Sequence, residues 1–182
     1  MKELSLNILD IATNSVKARA DTVYITLTED DNTIKIEISD NGCGMKPDFL
    51  ATVTDPFSTT RTTRNVGLGL PFLKLAAEQT GGYMRIDSRH QEDFPENHGT
   101  ITTALFYKNN IDYTPLGDIV STVSTLIQGS PDIRWIYKHI TPKGEATLDT
   151  DELKNVLGDV PLDIPDVIAW INEYLTEAEA EI

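Results

Sequence analysis

The chain is poor in cysteine and in positive charge, and it has no long apolar run. Its 182 residues include one cysteine, Cys43, so no disulfide can close within the chain and no multi-cysteine metal site can form. The longest apolar stretches fall far short of a membrane span. The first residues, MKELSLNILDIATNS, carry an acidic residue and no small-residue cleavage site, which argues against a signal peptide. These features predict a cytoplasmic protein without a membrane partner. Lys and Arg number 15 against 29 Asp and Glu, for a net charge of −14. The excess is uneven, at −5 over residues 1–106 and −9 over residues 107–182. An acidic surface repels phosphate backbones, so nucleic acid is not an expected partner. The acidic C-terminal part reads either as a solvated face or as a docking surface for a basic partner.

Apolar residues make up 40% of the chain, enough for the core of one medium domain with an appendage or of a single elaborated domain. Leu6, Leu9, Ala12 or Thr13, and Val16 recur at helical spacing within residues 5–19. TVYITLT (22–28) and TIKIEIS (33–39) alternate on either side of EDDN. That pattern predicts a hairpin burying Val23, Ile25, Leu27, Ile34, Ile36 and Ile38. KPDFLATV reads as a short helix with Pro47 in its first turn, and residues 54–66 as a Ser/Thr/Arg-rich loop. GLGLPFLKLAAEQTGG (67–82) is a second helix stopped by Gly81-Gly82. YMRIDSR (83–89) and TITTALFY (100–107) form a second strand pair across a polar loop. The order predicts an α/β (α+β) two-layer sandwich with a largely antiparallel sheet over residues 1–108. Residues 109–182 read as a smaller extension that can pack on that domain: a helix, a hairpin of DIRWIYKHI with EATLDT, and two further helices.

Three clusters can carry chemistry. Asp10 and Asn14 lie four apart on the first helix, and Lys17 falls on the same face. A carboxylate there can orient a water, an amide oxygen suits Mg²⁺, and an ammonium can neutralise phosphate. The same three residues also make an ordinary solvated helix face. DNGCGM, Asp40 to Met45, follows a strand directly. Gly42 and Gly44 lack Cβ atoms and would let a flat ligand approach, while Asp40 can accept from an exocyclic amino group. Asp-Asn-Gly is equally good turn chemistry. GLGL (67–70) enters a helix, where free N–H groups and the dipole favour an anion, with Arg61 and Arg64 just upstream. It is neither a Rossmann fingerprint nor a Walker loop, since the third glycine and any GK[ST] are missing.

The order of these clusters resembles the GHKL ATPase superfamily, which includes histidine kinases, the 90 kDa heat-shock chaperone, type II topoisomerase ATPase domains and mismatch-repair ATPases. ILDIATNSVKARA resembles its N box, DNGCGM its G1 box, RNVGLGLPFLKLAAEQTGG its G2 box, and DPFSTTR the start of its nucleotide lid. The resemblance covers roughly residues 4–106 and implies a Bergerat sandwich, with helices on one face of a mixed sheet. It implies ATP and Mg²⁺ as cofactors. By it, Asn14 would bind the metal, Lys17 a phosphate, and Asp40 the adenine amino group. Gly42, Gly44 and Met45 would border the base, and Thr100, after Gly99, would help hold it. Gly67, Leu68 and Gly69 would cap the phosphates, with Arg61 and Arg64 folding over them. Asp10 stands where many hydrolysing members place a longer glutamate as the catalytic base.

His90, His98 and His139 read as surface or core histidines, and none lies in a helix preceding the boxes. The resemblance therefore points to a stand-alone protein kinase acting in trans on a protein substrate, similar to anti-sigma-factor kinases. The alternative is a nucleotide-dependent binding switch with a protein partner. It also allows a homodimer.

Overall fold

The computed structural model describes residues 3–54 and 69–182. In chain order the elements are α1 (Leu4–Lys17), β1 (Thr22–Glu29), β2 (Thr33–Asp40), α2 (Pro47–Leu50), α3 (Gly69–Gln79), β3 (Tyr83–Arg89) and β4 (Gly99–Tyr107). They continue with α4 (Ile119–Gly129), β5 (Arg134–Thr141), β6 (Gly144–Asp149), α5 (Thr150–Leu157) and α6 (Pro165–Ala180). The strands form one sheet in the order β3-β4-β2-β1-β5-β6. β1 and β5 pair in parallel and every other pairing is antiparallel, so the sheet is mixed.

The strands alternate, and one face of the sheet carries the buried apolar layer. Val23, Ile25 and Leu27 of β1, Ile34, Ile36 and Ile38 of β2, and Ala104 and Phe106 of β4 are all buried there. Trp135 and Tyr137 of β5 and Leu148 of β6 continue the same layer. Burying one such side chain contributes about 1.5–3 kcal/mol, so this layer dominates the folding energy. α1, α3, α4 and α6 pack over that face, with α4 lying between α1 and α6. The opposite face stays open, with Tyr24, Tyr83, Ile101 and Tyr107 well exposed.

Local chemistry sets the connections. Asp30 Oδ1 accepts from the N–H groups of Asn32 and Thr33 and so closes the β1–β2 turn. Asp118 caps α4 by accepting from Ser121 N, and Asp149 caps α5 by accepting from Asp151 N. Arg134 grips Asp149 with two donors, at 3.1 and 2.6 Å, and holds its carboxyl below the usual range. α1 ends at Lys17, and Arg19, two residues on, adopts a left-handed φ of 57°.

The expected hairpins, their buried faces and the mixed two-layer architecture are all present. The expected stripe on α1 is shifted. Leu6 is 42% exposed, whereas Leu4, Ile8, Ile11, Ala12 and Ser15 are buried. α1 carries apolar residues on more than one side, so helical spacing admits two stripes, and packing against the sheet and α4 selects one. Beyond residue 108, the hairpin β5–β6 extends the sheet along the β1 edge. No helix among the described residues is long and apolar enough to cross a membrane.

Candidate functional site

Sheet register brings distant polar residues into one row. Ser88 of β3 pairs with Thr100 of β4, Thr100 with Asp40 at the end of β2, and Asp40 with Val23 of β1. Above this row, between the sheet and α1, lies a cavity of about 230 Å³. Ile11, Ile38, Val53 and Leu70 give it an apolar floor, and Met45 and Phe49 line it from the segment after β2. Asp40 and Thr100 supply polar groups from the sheet, and Asn14 and the exposed Lys17 supply them from α1.

The Asp40 carboxylate is held from two sides. Ser15 Oγ donates to Oδ2 at 2.6 Å, and Gly42 N–H donates to Oδ1 at 2.9 Å. Thr100 Oγ1 lies 2.8 Å from Ser88 Oγ, which also accepts from Met45 N at 2.8 Å. One hydroxyl therefore ties the sheet row to the end of the 40–45 turn.

That turn is wedged between two parts of the protein. A Cβ on Gly42 would lie 2.8 Å from Ala18 Cβ and O, and one on Gly44 would lie 1.9 Å from Arg89 O. Gly44 also has a φ of +68°. The room expected for a flat ligand is thus required first by the chain's own packing. The carbonyls of the turn face the β3–β4 loop. Gln91 N donates to Cys43 O at 2.9 Å, and His98 Nδ1 lies 2.6 Å from Gly42 O, so that nitrogen carries the hydrogen. Asn41 Oδ1 accepts from Asp21 and Thr22 N–H, tying the turn to the start of β1. Cys43, half-buried, lines the cavity.

Asn14, Lys17, Asp40, Gly44, Met45 and Thr100 thus share one cavity, and Gly42 serves it through its N–H. Asp10 and Gly69 meet beside it, at the first residue of α3. A Cβ on Gly69 would stand 3.0 Å from Asp10 Cβ and 3.4 Å from Asp10 Oδ2. Arg61, Arg64, Gly67 and Leu68 lie outside the described residues. Among the described residues no group of three or more His, Cys, Asp or Glu side chains can hold a metal alone. The Asn14 amide oxygen is a hard donor that fits Mg²⁺, provided that ligand oxygens and water complete the shell. Ser15, Ser88 and His98 were not expected from sequence. Ser15 follows Asn14 directly, but Ser88 depends on strand register and His98 on a loop folding back onto Gly42, and no spacing encodes either.

An apolar slot ending in a carboxylate and a hydroxyl, with an amide oxygen and an ammonium along its side, can take a flat amino-bearing base joined to an anion. The family model described as histidine kinase-, DNA gyrase B- and HSP90-like ATPase matches residues 2–110. The chain belongs to this family. It carries a histidine-kinase-like ATPase domain. Within the family, an NtrY-like sensor histidine kinase, so named, of Rickettsia conorii is 27% identical over 93 residues, 50% of this chain and 15% of that protein. A protein of Shewanella frigidimarina named as a sensor protein is 30% identical over 89 residues, 48% of this chain and 14% of that one. The chain thus spans only a small part of the length of these curated relatives. Among solved structures, the N-terminal domain of a DNA repair protein superposes with a TM-score of 0.57 at 18% identity, covering 82% of this chain and 53% of the other. The Aquifex aeolicus MutL ATPase domain complexed with ADP gives 0.54 at 13% identity, covering 86% and 69%. Both are likenesses of fold. They place this histidine-kinase-like ATPase chain among α+β sandwiches of the same build.

Proposed function

We propose that the cavity binds ATP with Mg²⁺ and that the protein transfers the terminal phosphate to a protein partner in trans, in a cytoplasmic setting. The observation that carries this reading is the single cavity shared by Asp40 and Thr100 on one sheet row and by Asn14 and Lys17 on one helix. Asp40 accepts from the adenine amino group, while Ile11, Ile38 and Leu70 offer the base an apolar floor. Lys17 offsets phosphate charge. Asn14 would supply one oxygen ligand to Mg²⁺, which would offset charge at the phosphates. Gly69 and the N-terminus of α3 stand next to Asp10, where the terminal phosphate would lie.

A second reading, a nucleotide-dependent binding switch, is favoured by Asp10 itself. Its side chain is one methylene shorter than the glutamate of many relatives, and general-base work requires hydrogen-bond reach to the attacking water. Incubation with γ-labelled ATP and a lysate of the source organism separates the two. A labelled protein that vanishes when Asn14→Ala replaces the wild type supports transfer. Nucleotide-dependent co-purification without labelling overturns transfer in favour of the switch.

A further inference from the structure

The base-reading carboxylate does not hold its own position. Asp40 ends β2 and its Oδ1 faces the Gly42 amide, so one oxygen is fixed by the turn. The other is fixed by α1, through Ser15 Oγ at 2.6 Å. That length falls in the range of charge-assisted O–H···O⁻ bonds, which are shorter and stronger than neutral ones. Ser15 is only 2% exposed. A serine within a helix can turn its hydroxyl back to the carbonyl four residues earlier or out to solvent. Thr13 does so, donating to Leu9 O at 2.7 Å. Ser15 instead spends its single proton on Asp40, and water has little access to replace it.

We propose that Ser15 is a specificity-determining positioning residue. Its hydroxyl holds the Asp40 carboxylate as an acceptor aimed into the cavity, so that the site selects purine nucleotides bearing a 6-amino donor. Each carboxylate oxygen offers about two acceptor directions. With one direction on each oxygen taken by Ser15 and Gly42, the remaining ones are left for the ligand, and a nucleotide without a donor leaves them unmatched. Ser15 also neighbours Asn14 on α1, so the helix that serves the phosphate end orients the base end as well. This inference rests on the cavity being the ATP site.

The test compares ATP with purine ribonucleoside triphosphate, which lacks the 6-amino group, by titration calorimetry with Mg²⁺. Wild-type protein is expected to prefer ATP by about tenfold or more, the scale of one hydrogen bond to a charged group. Ser15→Ala is expected to weaken ATP about tenfold and to leave the purine analogue within about twofold, so the ratio approaches one. Ser15→Cys, close in size but a weak donor, should behave as Ser15→Ala does, and it serves if the alanine variant folds poorly. Equal losses for both nucleotides would mean a purely structural serine and would overturn the inference, as would an unchanged ratio. Wild-type protein that binds ATP but shows no preference also overturns it while leaving the proposed function standing. Wild-type protein that binds neither nucleotide overturns the proposed function itself.

Discussion

Gly44 shows how much of the site depends on single atoms. Its φ of +68° and the 1.9 Å that would separate an added Cβ from Arg89 O leave no place for any other residue. Gly44→Ala is expected to lower stability by at least about 1 kcal/mol, from the left-handed backbone alone, and to weaken nucleotide binding as the turn shifts. Chemical denaturation and calorimetry on the same variant check both effects, and a wild-type denaturation midpoint would contradict the packing argument. At this scale the sequence was readable where one residue type suffices. Asp40 stood out as an acid at a strand end and Asn14 by its spacing from Asp10. Ser88 and His98 were hidden, because their roles arise from the pairing of Ser88 with Thr100 and from a loop folding back onto Gly42. Nothing in the sequence set His98 apart from any other histidine in a polar loop, since its hydrogen bond to Gly42 O depends on how that loop folds.

Among the elements, α6 is anchored by a polar cluster that the sequence did not reveal. His139 of β5 is 4% exposed and sits between two carboxylates, Glu179 of α6 at 2.8 Å and Glu29 of β1 at 3.3 Å. Lys108 donates to Glu29 at 2.6 Å, and Tyr137 donates to the other Glu179 oxygen at 2.7 Å. Tyr113 is a further titratable group close to Glu29. Burial pushes the imidazole pKa down, but the Glu179 hydrogen bond and charge, with Glu29, outweigh it and hold the value above the ordinary one. A histidine raised in the folded state adds stability that is complete below its unfolded pKa of about 6.5. That contribution fades as pH rises through the higher folded value. Urea denaturation should therefore show wild-type stability falling as pH rises above about 6.5, with His139→Gln flattening the slope. An unchanged slope in the variant would contradict the assignment. Glu179→Ala strips a partner from both His139 and Tyr137, and the expected cost is about 3 kcal/mol, as for other buried ion pairs broken on one side. Alternation in IRWIYKHI announced the strand, yet nothing in it named the carboxylates that meet His139, since they lie 110 and 40 residues away.

For the whole molecule, the C-terminal hairpin is joined to the β1 edge of the sheet, and α4 lies against α1. A chain cut after residue 110 would bare the full hydrogen-bonding edge of β1 together with the α4-facing side of α1, and exposed edges of this kind invite aggregation. We expect residues 1–110 alone to elute as aggregate, with a much lower thermal midpoint than the intact chain. A stable monomer with native circular dichroism would show instead that the first four strands suffice. The sequence signalled a change of character near residue 108 through charge and periodicity. It could not signal that β5 runs parallel to β1, because that pairing joins segments more than 100 residues apart and leaves no local pattern. Net charge acts at this scale too: at −14 the surface repels anions, so the proposed nucleotide site would need a local offset, which Lys17 at the cavity is placed to supply.

The most direct test of the account is calorimetric titration of the intact protein with a non-hydrolysable ATP analogue, with and without Mg²⁺. Mg²⁺-dependent binding is expected, and Asp40→Asn should weaken it at least about tenfold, since the amide cannot replace both accepting oxygens and adds a donor facing the adenine amino group. No measurable affinity in the wild-type protein, or an affinity that Asp40→Asn leaves intact, would contradict it.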